Sequence, residues 1–339
     1  MNKKRVLAML LAGAMALSMT ACGGGSASPG DDSSNDGGAS ASGGSYKVSV
    51  ILKTLAAEYW QYVKSGAEDY ASEHSDKVTV EVKGPSSETA FDEMQNMIET
   101  DLSSGSYDGV IISPLQSDTA AQLVSGTKLP IVAIDTNFTA PEVKSFVGTG
   151  NEAAAKKGGE AAVEAAKAAG WTDIKCIEIA GVQGDQTNTA RMNGYKAGVE
   201  EAGGTFLSDE VQYADATADR ATTAMEAIMQ THPEGIAIIC ANNDDMAMAA
   251  ARAAQGHDAY KNTIFIGFNG DRAACEAILA GQMTMSVAQM AYEMGYKAVE
   301  TMVQVLDGET VDEFVDSGSD VVTPDNAQER LDTLKTQLH

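Results

Sequence analysis

The chain is poor in positive charge, in cysteine and in histidine. Only 23 Lys and Arg stand against 48 Asp and Glu, a formal net charge of −25 at pH 7. A duplex binder needs a basic stripe to displace counterions, and electrostatic docking on anionic lipid needs a polybasic face. This balance argues against both. The four cysteines form no CxxC pair, and His74, His232, His257 and His339 are scattered without HExxH or other metal-ligand spacing, so no zinc motif is present. GxSxG and the Walker GxxxxGK[ST] are also missing, and no Cys/His pair stands at a predicted strand end. The one long apolar run, Val6 to Ser18, meets Gly23-Gly24-Gly25 before reaching the roughly 20 residues a membrane span needs.

That run has another reading. Lys3, Lys4 and Arg5 precede it as a positive n-region, and together they predict a secretory signal over residues 1–21. Met19-Thr20-Ala21-Cys22 resembles a bacterial lipobox, with Met19 where Leu is usual, which implies lipid attachment at Cys22. Cys176, Cys240 and Cys275 are then left, an odd number that no complete disulfide framework uses. Cys176 and Cys240 lie in apolar runs and read as small buried hydrophobes. Residues 22–45 are a Gly/Ser/Asp tract without apolar periodicity, a flexible tether. Within it Asp32 to Asp36 echoes a calcium loop, but Ser34 and Gly43 stand where ligands are required. The expectation is a domain lipid-anchored to the outer face of the cytoplasmic membrane.

From Tyr46 onward, a chain of about 290 residues suits two lobes better than one. Strand-like runs alternate with helical spacing: strand Val48 to Leu52, helix Glu58 to Glu73, strand Val78 to Val82, helix Glu88 to Ser104, strand Gly109 to Ser113, helix Ser117 to Ser125, strand Ile131 to Asp135. After Gly150 the beat restarts with an Ala-rich helix from Glu152 to Ala169. Strands follow at Ile174 to Ala180, Val211 to Tyr213, Gly235 to Cys240, Ile264 to Asn269 and Met283 to Gln289. The alternation predicts an α/β chain of two doubly wound parallel-sheet lobes.

Ligands of such sheets bind beyond the carboxyl ends of the strands. Those ends carry Lys53, Asp135, Asn243, Asn269 and Gln289, with Tyr59 and Trp60 opening the first helix. Any single Asp or Asn there is explained equally well as a helix cap, and Asp244 is read as one. The set is more informative. A carboxylate, three amides and an ammonium can bridge adjacent hydroxyls, while an aromatic face covers the C–H side of a sugar ring.

These segments resemble the type I periplasmic binding proteins, the sugar-binding subunits of ABC importers, and within them the allose- and ribose-binding members. Val50 to Leu55 with Tyr59-Trp60, Tyr107 to Pro114, Cys240 to Met248, Phe265 to Gly270 and Gly281 to Gln289 carry the likeness, which runs from Lys47 to about Thr323. The resemblance implies a non-catalytic monomer without cofactor or metal, delivering a monosaccharide to a permease with a cytoplasmic ATPase. It implies a three-stranded hinge between an N-terminal lobe of residues 46–149 and 290–317 and a C-terminal lobe of residues 150–289 and 318–339. It further implies Lys53 and Asp135 on ligand hydroxyls with Thr136 beside them, Tyr59 and Trp60 stacking, and Thr189, Asn243, Asn269 and Gln289 from the other side. Arg191 is read as structural. Asn269 stands where Asp is usual, Ala57 where ribose binders have Asn, Thr189 where they have Arg, and Ala218 where many members have an aromatic. The changes at Asn269 and Thr189 predict a pocket with less charge, and those at Ala218 and Thr189 room for a bulkier ligand than ribose.

Four rival readings remain in view. Gly148-Thr149-Gly150-Asn151-Glu152-Ala153 fits a relaxed dinucleotide fingerprint, but the acidic residue required about 20 positions on is missing; a hinge glycine pair explains it better. A sugar-responsive repressor would open with a helix-turn-helix where the signal and tether stand. A ligand-presenting sensor for a histidine kinase, or a binder of a nucleoside, shares this sequence logic.

Overall fold

The computed structural model describes residues 45–338. The expected signal peptide, the expected lipid-bearing Cys22 and nearly all of the expected tether lie outside the described residues. The first eight elements are β1 (Tyr46–Ile51), α1 (Glu58–Glu73), β2 (Val78–Lys83), α2 (Phe91–Ser104), β3 (Gly109–Ile112), α3 (Ser117–Val124), β4 (Ile131–Ile134) and β5 (Val143–Gly148). Then come α4 (Asn151–Ala168), β6 (Lys175–Ala180), α5 (Gln186–Glu201), β7 (Thr205–Phe206), β8 (Gln212–Tyr213), α6 (Ala218–Thr231), β9 (Ile238–Ala241) and α7 (Asp244–Ala254). The chain closes with β10 (Ile264–Asn269), α8 (Arg272–Leu279), β11 (Met285–Gln289), α9 (Ala291–Leu306), β12 (Phe314–Asp316), β13 (Ser319–Val322) and α10 (Ala327–Thr336).

Two sheets result. The first runs β12-β5-β4-β3-β1-β2 and the second β13-β11-β10-β9-β6-β7, with β8 also on β6. Every pairing is parallel except β13 on β11. Helices cover both faces of a parallel sheet, so its central strands are apolar throughout. GVII of β3 and IVAI of β4 are wholly buried. At the edge, VTVEVK of β2 alternates, and its exposed Glu81 and half-buried Lys83 guard the open edge of the sheet.

α1 shows why the helices pack where they do. Tyr59, Tyr62, Val63, Gly66, Ala67 and Tyr70 recur every three or four residues and are buried together. They meet α9, which brings the returning chain back to the first lobe. The two helices touch backbone to backbone: a Cβ on Gly66 would lie 1.9 Å from the Tyr292 carbonyl oxygen, and one on Gly295 1.9 Å from that of Val63. No side chain fits at either point.

The core also holds a misfit. Glu178 in the middle of β6 is fully buried, and neither carboxylate oxygen has a hydrogen-bond partner. Burial pushes its carboxyl up to about 8, with the Arg191 guanidinium pulling weakly the other way. Opposite it in register stands Cys240, whose Sγ lies 3.4 Å from that of Cys176. Both thiols and Cys275 are free and buried, as small hydrophobes are.

Two outcomes follow. Gly295→Ala is expected to cost on the order of 3 kcal/mol in urea unfolding, whereas Gly150→Ala, with open space around its Cβ, is expected to change little; equal midpoints would refute the helix-crossing argument. Glu178 is raised in the folded protein above its ordinary 4.5, so the folded state holds the proton longer. Its contribution to stability is complete below pH 4.5 and is lost as pH rises towards about 8, on the order of a few kcal/mol. Glu178→Gln should match the parent near pH 4.5 and exceed it at pH 8. Parallel stability curves would sink this reading.

Candidate functional site

The carboxyl ends of both sheets face a single cleft of about 610 Å³, within the range of small-molecule sites. Lys53, Tyr59, Trp60, Asp135, Asn243, Asn269 and Gln289 all line it. The first lobe supplies the first four. Lys53 and Asp135 stand just past β1 and β4, and Tyr59 and Trp60 open α1 with their rings edge to face at 5.0 Å. Asn243 follows β9, while Asn269 and Gln289 close β10 and β11.

The first-lobe wall is built around Asp135. It accepts the Tyr59 hydroxyl at 2.8 Å and the Thr136 hydroxyl at 2.8 Å. The Lys53 ammonium lies 4.0 Å from Asp135 and 3.7 Å from Asp185 of the second lobe. Burial works against that ammonium, but Asp185 and Asp135 outweigh it and raise the Lys53 pKa. Trp60 donates its Nε1–H to Glu88 at 2.9 Å, which fixes the ring.

The second-lobe wall is a relay of amides. Gln289 Nε2 donates to Asn269 Oδ1 at 2.9 Å, and Asn269 Nδ2 to Asp271 at 3.4 Å. Behind them Asp244 is fully buried, accepting the Ser286 hydroxyl at 2.6 Å and the Asp271 N–H at 2.9 Å. Burial pushes Asp244 up to about 6. Asp271 is raised well above the ordinary carboxylate range by burial first and by the Asp244 charge second.

Several sequence expectations change here. Thr189 is exposed, its hydroxyl turned back to the Asp185 carbonyl; the residue of α5 on the cleft wall is Thr187, two positions earlier. Thr136 sits buried behind the wall, its hydroxyl 3.2 Å from that of Thr187. The α7 cap is Asn243, which accepts the Met246 N–H, and not Asp244, the helix's first residue. Ala218 is off the wall, which Ala216 and Thr217 form instead. Arg191 is structural in that Nε bonds Asn151 and Nη1 the Asn242 carbonyl, each at 2.8 Å, but it also lines the cleft. Nor is the pocket poor in charge, because Glu88, Asp185, Asp215 and Asp271 join it. Asp185, Thr187, Asn242 and Asp271 all lie within a few residues past the ends of β6, β9 and β10, the region where ligand contacts are expected, but the sequence does not say which of them turn inward.

Backbone strain collects at the same place. Among the described residues, four non-glycine residues have positive φ: Asp135 (62°), Asp215 (46°), Ala216 (58°) and Asn269 (137°). All four line the cleft. Each such conformation costs about 1–3 kcal/mol.

Two parallel-sheet lobes with a polar cleft between their strand ends define a binding protein. The chain belongs to the periplasmic binding protein family, whose domain matches residues 48–310. The D-allose-binding periplasmic protein of Escherichia coli (strain K12) is 30% identical over 265 residues, 75% of this chain and 83% of that protein. The ribose import binding protein of the same organism is 27% identical over 268 residues, 78% and 86% of the two chains. Among solved structures, a carbohydrate transporter solute-binding protein from Agrobacterium radiobacter, in complex with D-arabinose, superposes with a TM-score of 0.76 at 23% identity, covering 87% of this chain and 99% of that one. These relatives are binding proteins of transport systems, not enzymes. Among the described residues no helix is long and apolar enough to cross a membrane.

Ala216 has no side-chain hydrogen bond to repay its left-handed backbone. Ala216→Gly is therefore expected to stabilise the protein by about 0.5–1 kcal/mol, the conformational relief exceeding the added freedom of the unfolded chain. A lower thermal midpoint for the variant would contradict this.

Proposed function

We propose that this chain is the substrate-binding lipoprotein of an ABC importer, capturing a monosaccharide between its two lobes and presenting it to a membrane permease driven by a cytoplasmic ATPase. The observation that carries the reading is the convergence of planar hydrogen-bonding groups from both sheets, Asp135, Asn243, Asn269 and Gln289, on one cleft that also holds two aromatic rings. Its likeness to an allose-binding and a ribose import binding protein supports it, as do the leader-like pattern of residues 1–21 and the lipobox-like Met19-Thr20-Ala21-Cys22.

In this reading Asp135 and Lys53 grip ring hydroxyls, and Tyr59 or Trp60 covers a C–H face. Asn243, Asn269 and Gln289 complete the site from the other lobe and the hinge. The lobes, residues 46–149 with 290–317 and residues 150–289 with 318–339, close by bending at three crossings. Contacts across the cleft already exist. Lys53 meets Asp185, Thr136 meets Thr187, and Glu58 pairs with Arg272 at 3.1 Å.

Thermal unfolding against aldoses, ketoses, polyols, nucleosides and amino acids tests this. A ligand at 100 times its Kd adds about 2.7 kcal/mol to the folded state. One monosaccharide should raise the midpoint, and Asp135→Ala should abolish the shift while still unfolding cooperatively. A shift from a nucleoside or an amino acid alone would overturn the sugar reading.

A further inference from the structure

The cleft carries more negative charge than a neutral sugar calls for. Seven carboxylates line it against the two cations Lys53 and Arg191. Four of the seven are accounted for. Lys53 lies between Asp135 and Asp185, Arg272 pairs with Glu58, and Arg220 with Asp215. Glu88, Asp245 and Asp271 form no close ion pair among the described residues; Lys53 acts on Glu88 and Arg330 on Asp271 only from a distance, and Arg191 is engaged by Asn151 and the Asn242 carbonyl.

Asp271 differs from Asp245 in what its carboxylate contacts. Asp245 sits in the first turn of α7, where acids are common. Asp271 is the N-cap of α8, yet its side chain makes no capping bond; its carboxylate ends the amide relay from Gln289 and Asn269 instead.

An independent observation concerns missing donors. Gln289 and Asn242 both line the cleft at 1% and 8% exposure, and Gln289 Oε1 and Asn242 Oδ1 are buried without a hydrogen-bond partner. Buried acceptors of this kind call for a ligand that supplies donors. A hydroxyl brings one donor and no charge. An ammonium brings three donors and a full positive charge, and its hydrogen bonds to carboxylates are among the stronger ones.

We propose, resting on the sugar-binding reading above, that the ligand is a positively charged amino sugar whose ammonium sits against Asp271 on the second-lobe wall. Its remaining N–H and O–H donors meet the orphaned amide oxygens. The Asp244 charge helps to raise the Asp271 carboxyl, and an ammonium at this point favours its ionised form.

Calorimetric titration of the full chain decides the matter, with glucosamine, galactosamine, mannosamine and allosamine each set beside its neutral parent hexose. At least one amino form should bind about tenfold or more tightly than its parent. Asp271→Asn should bring that ratio close to one, and Glu88→Gln on the opposite wall should lower it less. Thermal midpoints without ligand confirm that both variants fold, and the ratio for the unmodified chain decides even if one does not. Neutral hexoses binding as tightly as their amino forms would overturn the amine and leave the sugar-binding reading standing. If no sugar of either kind binds, both fall.

Discussion

Parallel strands place all their carboxyl ends on one edge of a sheet, and here two such edges are held opposite each other by only three passages of chain. Everything at the cleft depends on how firmly those passages are tied. The first leaves β5 through Thr149, and the third runs through Ser317. They lie side by side, the Ser317 N–H bonding the Gly148 carbonyl at 2.8 Å and the two hydroxyls 3.4 Å apart. The second passes Gln289, whose carbonyl accepts from Arg330 Nη2 at 2.7 Å, while Arg330 Nε reaches the Gly270 carbonyl at 3.3 Å. The last helix thus pins the end of β11 and the turn after β10, the two places that present Gln289 and Asn269. A single guanidinium sets the spacing of the amide relay.

That scaffold lets the cleft hold groups that would not persist on a softer surface. The positive φ of Asp135 and of Asn269 tilts each side chain out of its strand direction, and both strand ends are anchored immediately behind. The Asp135 N–H bonds the Val147 carbonyl at 2.9 Å, and the Gly270 N–H bonds the Ser286 hydroxyl at 3.0 Å. A strained strand end costs free energy in the unliganded protein, and rigid packing around it keeps that cost from being relieved by local collapse.

Much of this was legible in the residues alone, for reasons that differ by element. α1 begins at Glu58 and ends at Glu73 as its periodicity indicates, and β10 spans Ile264 to Asn269 as its apolar run does, because both patterns are long and sharply bounded. The run from Gly235 to Cys240 starts three residues early, since Ile236 and Ala237 are buried before the ladder begins at Ile238. The two-residue strand β7 and the short edge strands β12 and β13 left no apolar signature to read. At the site, strand ends identify stretches but not side-chain direction. Thr187 and Thr189 lie two residues apart in α5, a helix whose apolar residues fall on no single face, so nothing in the spacing says which threonine turns inward. The exchange of Asn243 for Asp244 as the cap has the same origin: adjacent polar residues, either able to cap, separated only by where the backbone leaves β9.

Closure then becomes a contest between opposed forces on the same walls. Glu58, Glu88 and Asp135 on one side face Asp185, Asp215, Asp245 and Asp271 on the other, and their repulsion grows as the lobes approach and water leaves. Against it stand the Lys53–Asp185 and Glu58–Arg272 pairs and the Thr136–Thr187 contact. The two ion pairs join groups on opposite lobes, so their attraction is largest in the closed arrangement. A ligand shifts that equilibrium only by what it contributes differently to the two arrangements. One that binds a single wall leaves the repulsion untouched. One that brings donors to both walls converts an unfavourable approach into a favourable one, and for this cleft that property, more than shape, separates a true substrate from a molecule that merely fits.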